Sequence, residues 1–247
     1  MANLIQNCVV IGTGASFNQA LETLVSQTLG LDNLELCGTY LNRGIFVWTM
    51  VFVILCGILL RTEWLLLECG QDPVLAKDTE KFLLYYIPGL YFWGLCDLLR
   101  RYLNCFKKNF LPMMTFFVVA ILHPFWVHYF VVELDMKLFG VAVAGFISNF
   151  MNFLMMMVLL LSSRDLQEAR YFPDRRTFTD LWPYLSLGVP SVLMSFIDYW
   201  EWEQMTLASG FFGIEHQAIQ VILIHLTSMS YMVARGMQSP CSTLVGN

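Results

Sequence analysis

The amino-acid sequence predicts an all-α polytopic membrane protein with about seven transmembrane helices. Three observations predict it. Hydrophobic residues make up 57% of the 247 residues and charged residues only 13%, against about 25% charged in an ordinary soluble domain, and the mean hydropathy is +0.59. Apolar runs of about 20 residues, the length that crosses a hydrocarbon core, recur along the chain. Short segments with turn-forming residues, such as Gln71-Asp72-Pro73 and Phe172-Pro173-Asp174, separate them. Lipid offers no partner for backbone polar groups, so each run is expected to be a helix.

Taken in order, the expected spans are Leu4–Leu29, Gly44–Leu67, Phe82–Cys105, Phe110–Val132, Leu138–Ser162, Leu181–Phe212 and Ile214–Val245. The first carries Asn7, Thr13, Ser16, Asn18, Gln19, Glu22, Thr23, Ser26 and Gln27, too many polar groups to face lipid all round, so part of it lines a cavity or a helix interface. Pro88 in the third span and Pro190 in the sixth are expected to kink their helices. Asp97, with Arg100 and Arg101, reads as an interfacial charge network near the end of the third span. His123 and His128 flank Pro124 without a neighbouring carboxylate in sequence, which suits packing or interfacial groups better than a metal site.

Charge narrows the function classes. The net charge of -5 is spread through short loops with no basic patch, which leaves nucleic-acid binding without an electrostatic footprint. Seven cysteines without a C-x-x-C read as small packing residues rather than disulfides or zinc ligands. There is no nucleotide-binding glycine loop or nucleophile elbow, so neither an enzyme nor a cofactor is expected. The first segment is too polar, and lacks the basic flank, for a cleaved signal peptide. Nine lysines and arginines fall in the first, third and fifth loops (Arg43; Arg100, Arg101, Lys107, Lys108; Arg164, Arg170, Arg175, Arg176) against four in the even ones, which places the odd loops in the cytoplasm. Residues 9–27 also align with 229–247, putting Thr23-Leu24-Val25 on Thr243-Leu244-Val245, a short match of the kind left by the repeated halves of transporters.

The sixth span holds the strongest functional signal. Asp198-Tyr199-Trp200-Glu201-Trp202-Glu203 puts three carboxylates and three large aromatics into six residues of a membrane-grade stretch. Charge at such depth costs about 2.5 to more than 10 kcal/mol per group, and it persists mostly where it faces a bundle interior or a water-filled cavity. A site for protons or cations is the reading that follows. Tyr199, Trp200 and Trp202 suit flat organic cations, since cation–π attraction contributes roughly 0.5–2 kcal/mol; helix packing or an interfacial aromatic belt is the plainer alternative.

Several segments together carry a family resemblance. Leu21-Glu22-Thr23-Leu24-Val25-Ser26-Gln27, Gly70-Gln71-Asp72-Pro73, Ile87-Pro88-Gly89-Leu90, Arg100-Arg101-Tyr102-Leu103, and Val189-Pro190-Ser191 followed by the acidic helix occur in that order. The set resembles the eukaryotic branch of the MATE family, the multidrug and toxic compound extrusion transporters. That resemblance implies a twelve-helix antiporter of two six-helix lobes, exporting organic cations or other xenobiotics in exchange for H⁺ or Na⁺. On it, the chain looks like helices two to eight: residues 1–162 would be first-lobe helices, 163–180 a cytoplasmic linker and 181–247 the start of the second lobe, a fragment not expected to transport alone. The protein would be multi-pass in the plasma membrane or in a vacuolar or other endomembrane.

The resemblance also assigns roles. Two acids five residues apart on the family's seventh helix fall on Asp198, where a glutamate is usual, and Glu203. They lie about 140° apart around the helix and about 7.5 Å along it, so they need not share a ligand. A proton and a cation would compete for such an acid, which is the core of antiport. Glu22 matches an acid common in the second helix. Glu201 and Arg235 depart from the pattern; because a lone arginine at that depth is costly, Arg235 is expected to pair with Glu201. His225 stands where a glutamate or asparagine is usual, either as a proton relay or as a neutral hydrogen-bonding group. Two other readings stay open: a lipid-linked oligosaccharide flippase of the same superfamily, which tends to carry basic cavity residues, and a non-transporting seven-span protein, although no Asp-Arg-Tyr or Asn-Pro-x-x-Tyr receptor motif is present.

Overall fold

The computed structural model describes residues 1–163, 166, 167, 169 and 174–246, leaving out the side chains of residues 198–203, 214 and 234–246. Among the described residues every regular element is helical. Helix α1 (Ala2–Ile5) continues through π-helical turns (Gln6–Ile11) into α2 (Gly12–Gly30). There follow α3 (Leu34–Leu59), the short α4 (Thr62–Glu68), α5 (Pro73–Cys105), and α6 (Phe110–His128) with π-helical turns at its end (Tyr129–Glu133). The chain closes with α7 (Lys137–Ser162), the one-turn α8 (Arg175–Phe178), α9 (Trp182–Gly210) and α10 (Ile214–Gly246). Seven long helical rods thus occupy the seven expected places. Leu34–Leu59, Pro73–Cys105, Phe110–Glu133 and Lys137–Ser162 are long and apolar enough to cross a membrane, and Trp182–Ile197 is a shorter apolar stretch. The first rod is not among them because its polar residues dilute its apolar length.

Two helix starts correct the sequence-based limits, and both have a capping residue as the cause. Helix α3 begins at Leu34 rather than Gly44, because the Asn33 side chain accepts from Leu36 N at 3.1 Å and satisfies the first turn. It ends at Leu59, and the expected tail of that span becomes α4. Helix α5 begins at Pro73 rather than Phe82: Asp72 Oδ1 accepts from Val74 N and Leu75 N at 2.9 and 3.0 Å, and Pro73 fills the position whose missing N–H costs nothing. Hydropathy misses this start because Lys77, Asp78, Glu80 and Lys81 lie in the added turns. Arg43, expected in a loop, therefore sits inside α3 and is buried.

The rods stop by a shared device. After α2, α4 and α5 a residue in the left-handed region (Asp32, φ 56°; Gly70, φ 71°; Lys107, φ 59°) turns the chain. The two amides there bond back to the helix, as Gly70 N does to Leu67 O at 2.9 Å and Gln71 N to Leu66 O at 3.1 Å. Glycine takes this conformation freely and lysine does not, so Lys107→Gly should stabilise the protein by about 1 kcal/mol. A lower thermal midpoint for that variant in detergent would show that the lysine side chain matters more than its backbone.

Helix α5 packs against α2, α3, α4 and α7, while α6 rests on α7, α9 on α2, and α10 on α9. The order across the molecule is α6, α7, α5, α2, α9, α10, with α3 beside α2 and α5. Trp48 of α3 is fully buried and donates from Nε1 to Tyr91 O at 3.1 Å. Gly14 and Gly94 make room for its indole: a Cβ on Gly14 would lie 2.6 Å from the ring, and one on Gly94 would collide with it. Small residues here let three helices meet closely around one aromatic. Chain direction gives the bundle a linker end, with the α2–α3 and α5–α6 turns and residues 163, 166, 167, 169 and 174–181, and a far end, with α4 and the α6–α7 and α9–α10 turns.

Candidate functional site

The site predicted from sequence lies on α9, and α2 positions it. Gly188 of α9 has the Phe17 ring so close that a Cβ would stand 2.6 Å from it, and the buried Tyr184 hydroxyl donates to Phe17 O at 2.8 Å. Asp198 follows Tyr184 by fourteen residues, about 21 Å of helix. That length carries the Asp198–Glu203 backbone toward the far end, where α9 also packs against the π-helical turns Gln6–Ile11. The side chains of Asp198, Tyr199, Trp200, Glu201, Trp202, Glu203 and Arg235 lie outside the described residues, and the expected Glu201–Arg235 pair with them. Helix α9 runs helically through Pro190 as α5 does through Pro88.

The polar residues of α2 divide between two faces. Gln19, Thr23 and Gln27, four residues apart, are exposed on one. The other turns to α5 and holds a partly buried ion network centred on the buried Asp97. Asn18 donates to Gly94 O at 3.1 Å and to Asp97 Oδ2 at 3.0 Å. Arg101 donates from Nε to Asp97 Oδ2 at 2.9 Å and from Nη1 to Glu22 Oε2 at 2.8 Å, and Arg100 pairs with Asp97 Oδ1. Two arginines face two carboxylates, so the group is neutral as a set. Asp97, Arg100 and Arg101 come together as the sequence suggests, with Asp97 itself buried at 7% exposure. Glu22, a candidate for substrate or proton binding, is placed in this ion pair. His225, the other candidate on the second-lobe side, is exposed and bonds through Nδ1 to Val221 O of its own helix at 2.8 Å.

Two junctions tie α9 and the linker to the five-helix unit. At the linker end, Arg43 donates to Arg176 O from Nε and Nη2 at 3.2 and 2.9 Å, Arg176 pairs with Glu35 at 2.9 Å, and Tyr102 donates to Ala169 O at 2.8 Å. At the far end, the buried Gln217 amide of α10 reaches Gln71 Oε1 at 3.2 Å, Thr206 O at 3.3 Å and Met1 Sδ at 3.4 Å. Gln71 was legible only as part of a turn; nothing in sequence pairs it with a residue 146 positions away. Gln217→Leu should strand the Gln71 amide and raise backbone hydrogen exchange over residues 206–217 by about five- to tenfold, with Gln71→Leu/Gln217→Leu recovering most of it. Unchanged exchange in the single variant would show that the junction holds without these bonds.

A chain whose described regular elements are all helical, with four membrane-length apolar rods and a partly buried, charge-balanced ion network, is an integral, multi-pass membrane protein. It belongs to the MatE family, whose model matches residues 1–130. Multidrug and toxin extrusion protein 1 of Homo sapiens is 28% identical over 248 residues, covering 100% of this chain and 43% of that protein. The Xenopus tropicalis protein of that name is 27% identical, with the same coverage. In fold the chain is similar to the eukaryotic MATE transporter AtDTX14, with a TM-score of 0.89 at 21% identity over 99% of this chain and 55% of that one. An inward-facing multidrug resistance MATE family transporter of the MOP superfamily gives a TM-score of 0.68 at 14% identity, over 99% of this chain and 56% of that one. The chain spans somewhat less than half the length of the curated relatives it matches.

Proposed function

We propose that this chain carries the cation-binding and coupling helix of a secondary antiporter that exports organic cations in exchange for protons. The observation that carries the reading is the cluster of three carboxylates from Asp198 to Glu203 on a helix of a MatE-family chain. Support comes from its setting. The backbone bearing the acids lies toward the end where α9 packs against the π-helical turns Gln6–Ile11, and nearer the linker end the same pair of helices carries the exposed Gln19, Thr23 and Gln27 of α2, a polar stripe suited to a water-filled cleft rather than to lipid. Asp198 and Glu203 are the coupling acids, Tyr199, Trp200 and Trp202 the aromatic wall, and Arg235 balances Glu201. Glu22 holds Arg101 and is assigned no coupling role. Residues 1–162 act as the first lobe, 163–180 as a linker facing the cytoplasm, and 181–247 as the start of the second lobe. Binding is assigned to this chain, and transport to the two-lobe form that the family resemblance implies. The protein is a carrier, not an enzyme.

Equilibrium binding of a fluorescent organic cation to the chain in lipid nanodiscs tests the reading. An ionised carboxylate attracts the cation and a protonated one does not, so binding should weaken as pH falls from 8 to 5 in the absence of sodium. Binding displaced by Na⁺ but indifferent to pH would transfer the coupling role to sodium. Binding that ignores pH, Na⁺ and Glu203→Gln would remove the acids from the site.

A further inference from the structure

The seam between α6 and α7 holds a polar group that the α9 site does not use. His123 lies near the middle of the Phe110–Glu133 span, one of the most apolar in the protein, and its Nδ1 is 2.8 Å from Ser148 Oγ of α7. An ionisable side chain at that depth is a functional-site candidate by default. Ser148, buried at 8% exposure, spends its one hydroxyl proton on Ala144 O at 3.0 Å, so its oxygen acts as acceptor toward the imidazole. The neutral ring therefore carries its proton on Nδ1 and keeps a lone pair on Nε2.

An acceptor without a partner among the described residues stands one turn along α7 from Ser148. The two helices run antiparallel in a fixed register: Thr115 Oγ1 meets Met156 Sδ at 3.9 Å, and His123 meets Ser148. Asn152 falls midway between Ser148 and Met156, four residues from each, on the stripe that both turn toward α6. It is 7% exposed, and its Oδ1 is buried with no hydrogen-bond partner among the described residues. Helical side chains lean toward the helix N-terminus, which points His123 toward the level of Val119, the level of Asn152 in this register. Charged groups are distant by comparison. Lys137 is the single charged residue in the sequence of α7, Asp135 lies in the preceding turn, and at the end of α6 His128 and Glu133 are exposed and 3.6 Å apart. Trp126, whose buried Nε1 also lacks a hydrogen-bond partner among the described residues, lies three residues further along α6.

We propose that His123 is a second proton-binding site of the protein, taking up H⁺ on Nε2 and donating it to Asn152 Oδ1 while Nδ1 stays bound to Ser148. The site belongs to the five-helix unit. Helices α7, α5 and α2 separate it from α9, so it loads independently of the acids there. Because α6 rests on the bundle through α7, a charge gained in this seam acts on that contact directly.

The test is NMR of histidine-labelled full chain in lipid nanodiscs, with His123→Gln assigning the resonance among the four histidines. The neutral ring should be the Nδ1–H tautomer, and Ser148→Ala should lower the ratio of that tautomer about two- to tenfold. The resonance should change reversibly with pH as the ring takes up its second proton. Asn152→Leu should weaken that proton uptake about tenfold or more, the loss expected for a charge-assisted bond; Asp198→Asn should leave it unchanged. A resonance that does not respond to pH, a neutral ring protonated on Nε2, or proton uptake unaffected by Asn152→Leu would each overturn the proposal. Thermal midpoints of Ser148→Ala and Asn152→Leu show whether the fold is intact, and a merely packed histidine would leave the tautomer ratio and the proton uptake unaffected by these substitutions.

Discussion

Asp198→Asn should reduce proton-driven efflux of a fluorescent organic cation to background in the two-lobe transporter form, while the protein still reaches the membrane. The amide keeps the size and much of the hydrogen-bonding capacity of the acid and loses one property, the ability to exchange a proton for a cation. The lost ionic contact alone is worth about 1.5–3 kcal/mol, or roughly ten- to a hundredfold in affinity. Loss of the exchangeable proton removes the coupling as well. Asp198→Glu, which restores the residue usual in the family, should retain efflux, because the added methylene moves the charge without removing it. Efflux from proteoliposomes under an imposed pH gradient, normalised to the protein inserted, reads both variants. Undiminished efflux in Asp198→Asn would take this residue out of the mechanism and leave Glu203 as the acid to examine.

The second large effect is on stability. Asp97→Leu should destabilise the protein by about 3–5 kcal/mol, the usual cost of leaving a buried charge uncompensated. Asp97 accepts from Asn18, Arg100 and Arg101, and without it Arg101 keeps one partner, Glu22, in a side chain only 18% exposed. Asp97→Leu/Arg101→Leu should recover most of the loss. The charges left behind, Arg100 and Glu22, are 32% and 24% exposed and can turn toward water. The buried cysteines Cys37, Cys96 and Cys105 supply the readout, since a thiol-reactive dye labels them only as the bundle opens on heating. A single variant as stable as the parent would show that the network is kept for something other than stability, and a double variant no better than the single one would show that the arginine was never the stranded partner.

The fate of particular residues shows how far the sequence reaches. Seven rods were legible because an apolar run of membrane length has one backbone solution in lipid. The ends of α3 and α5 were not, because Asn33 and Asp72 start helices by bonding amides two or three residues away, an effect invisible to averaged hydropathy. The π-helical turns Gln6–Ile11 and Tyr129–Glu133 carried no sequence signal. The acid cluster on α9 was conspicuous because charge in such a stretch is costly wherever it ends up. Glu22 looked similar in sequence, and its assignment to the Arg101 pair came from a residue 79 positions away. His123 read as a packing or interfacial group in sequence, and its bond to Ser148 of α7 came from a residue 25 positions away.

The sequence by itself therefore determined the class of protein, the count of helical rods, and the helix on which its costliest charges lie. These follow from local composition, since lipid selects backbone structure and penalises charge residue by residue. Only the tertiary structure decided which polar groups are spent on one another and which remain for function. That choice depends on partners within about 3 Å brought from distant parts of the chain: Glu22 with Arg101, Gln71 with Gln217, and His123 with Ser148.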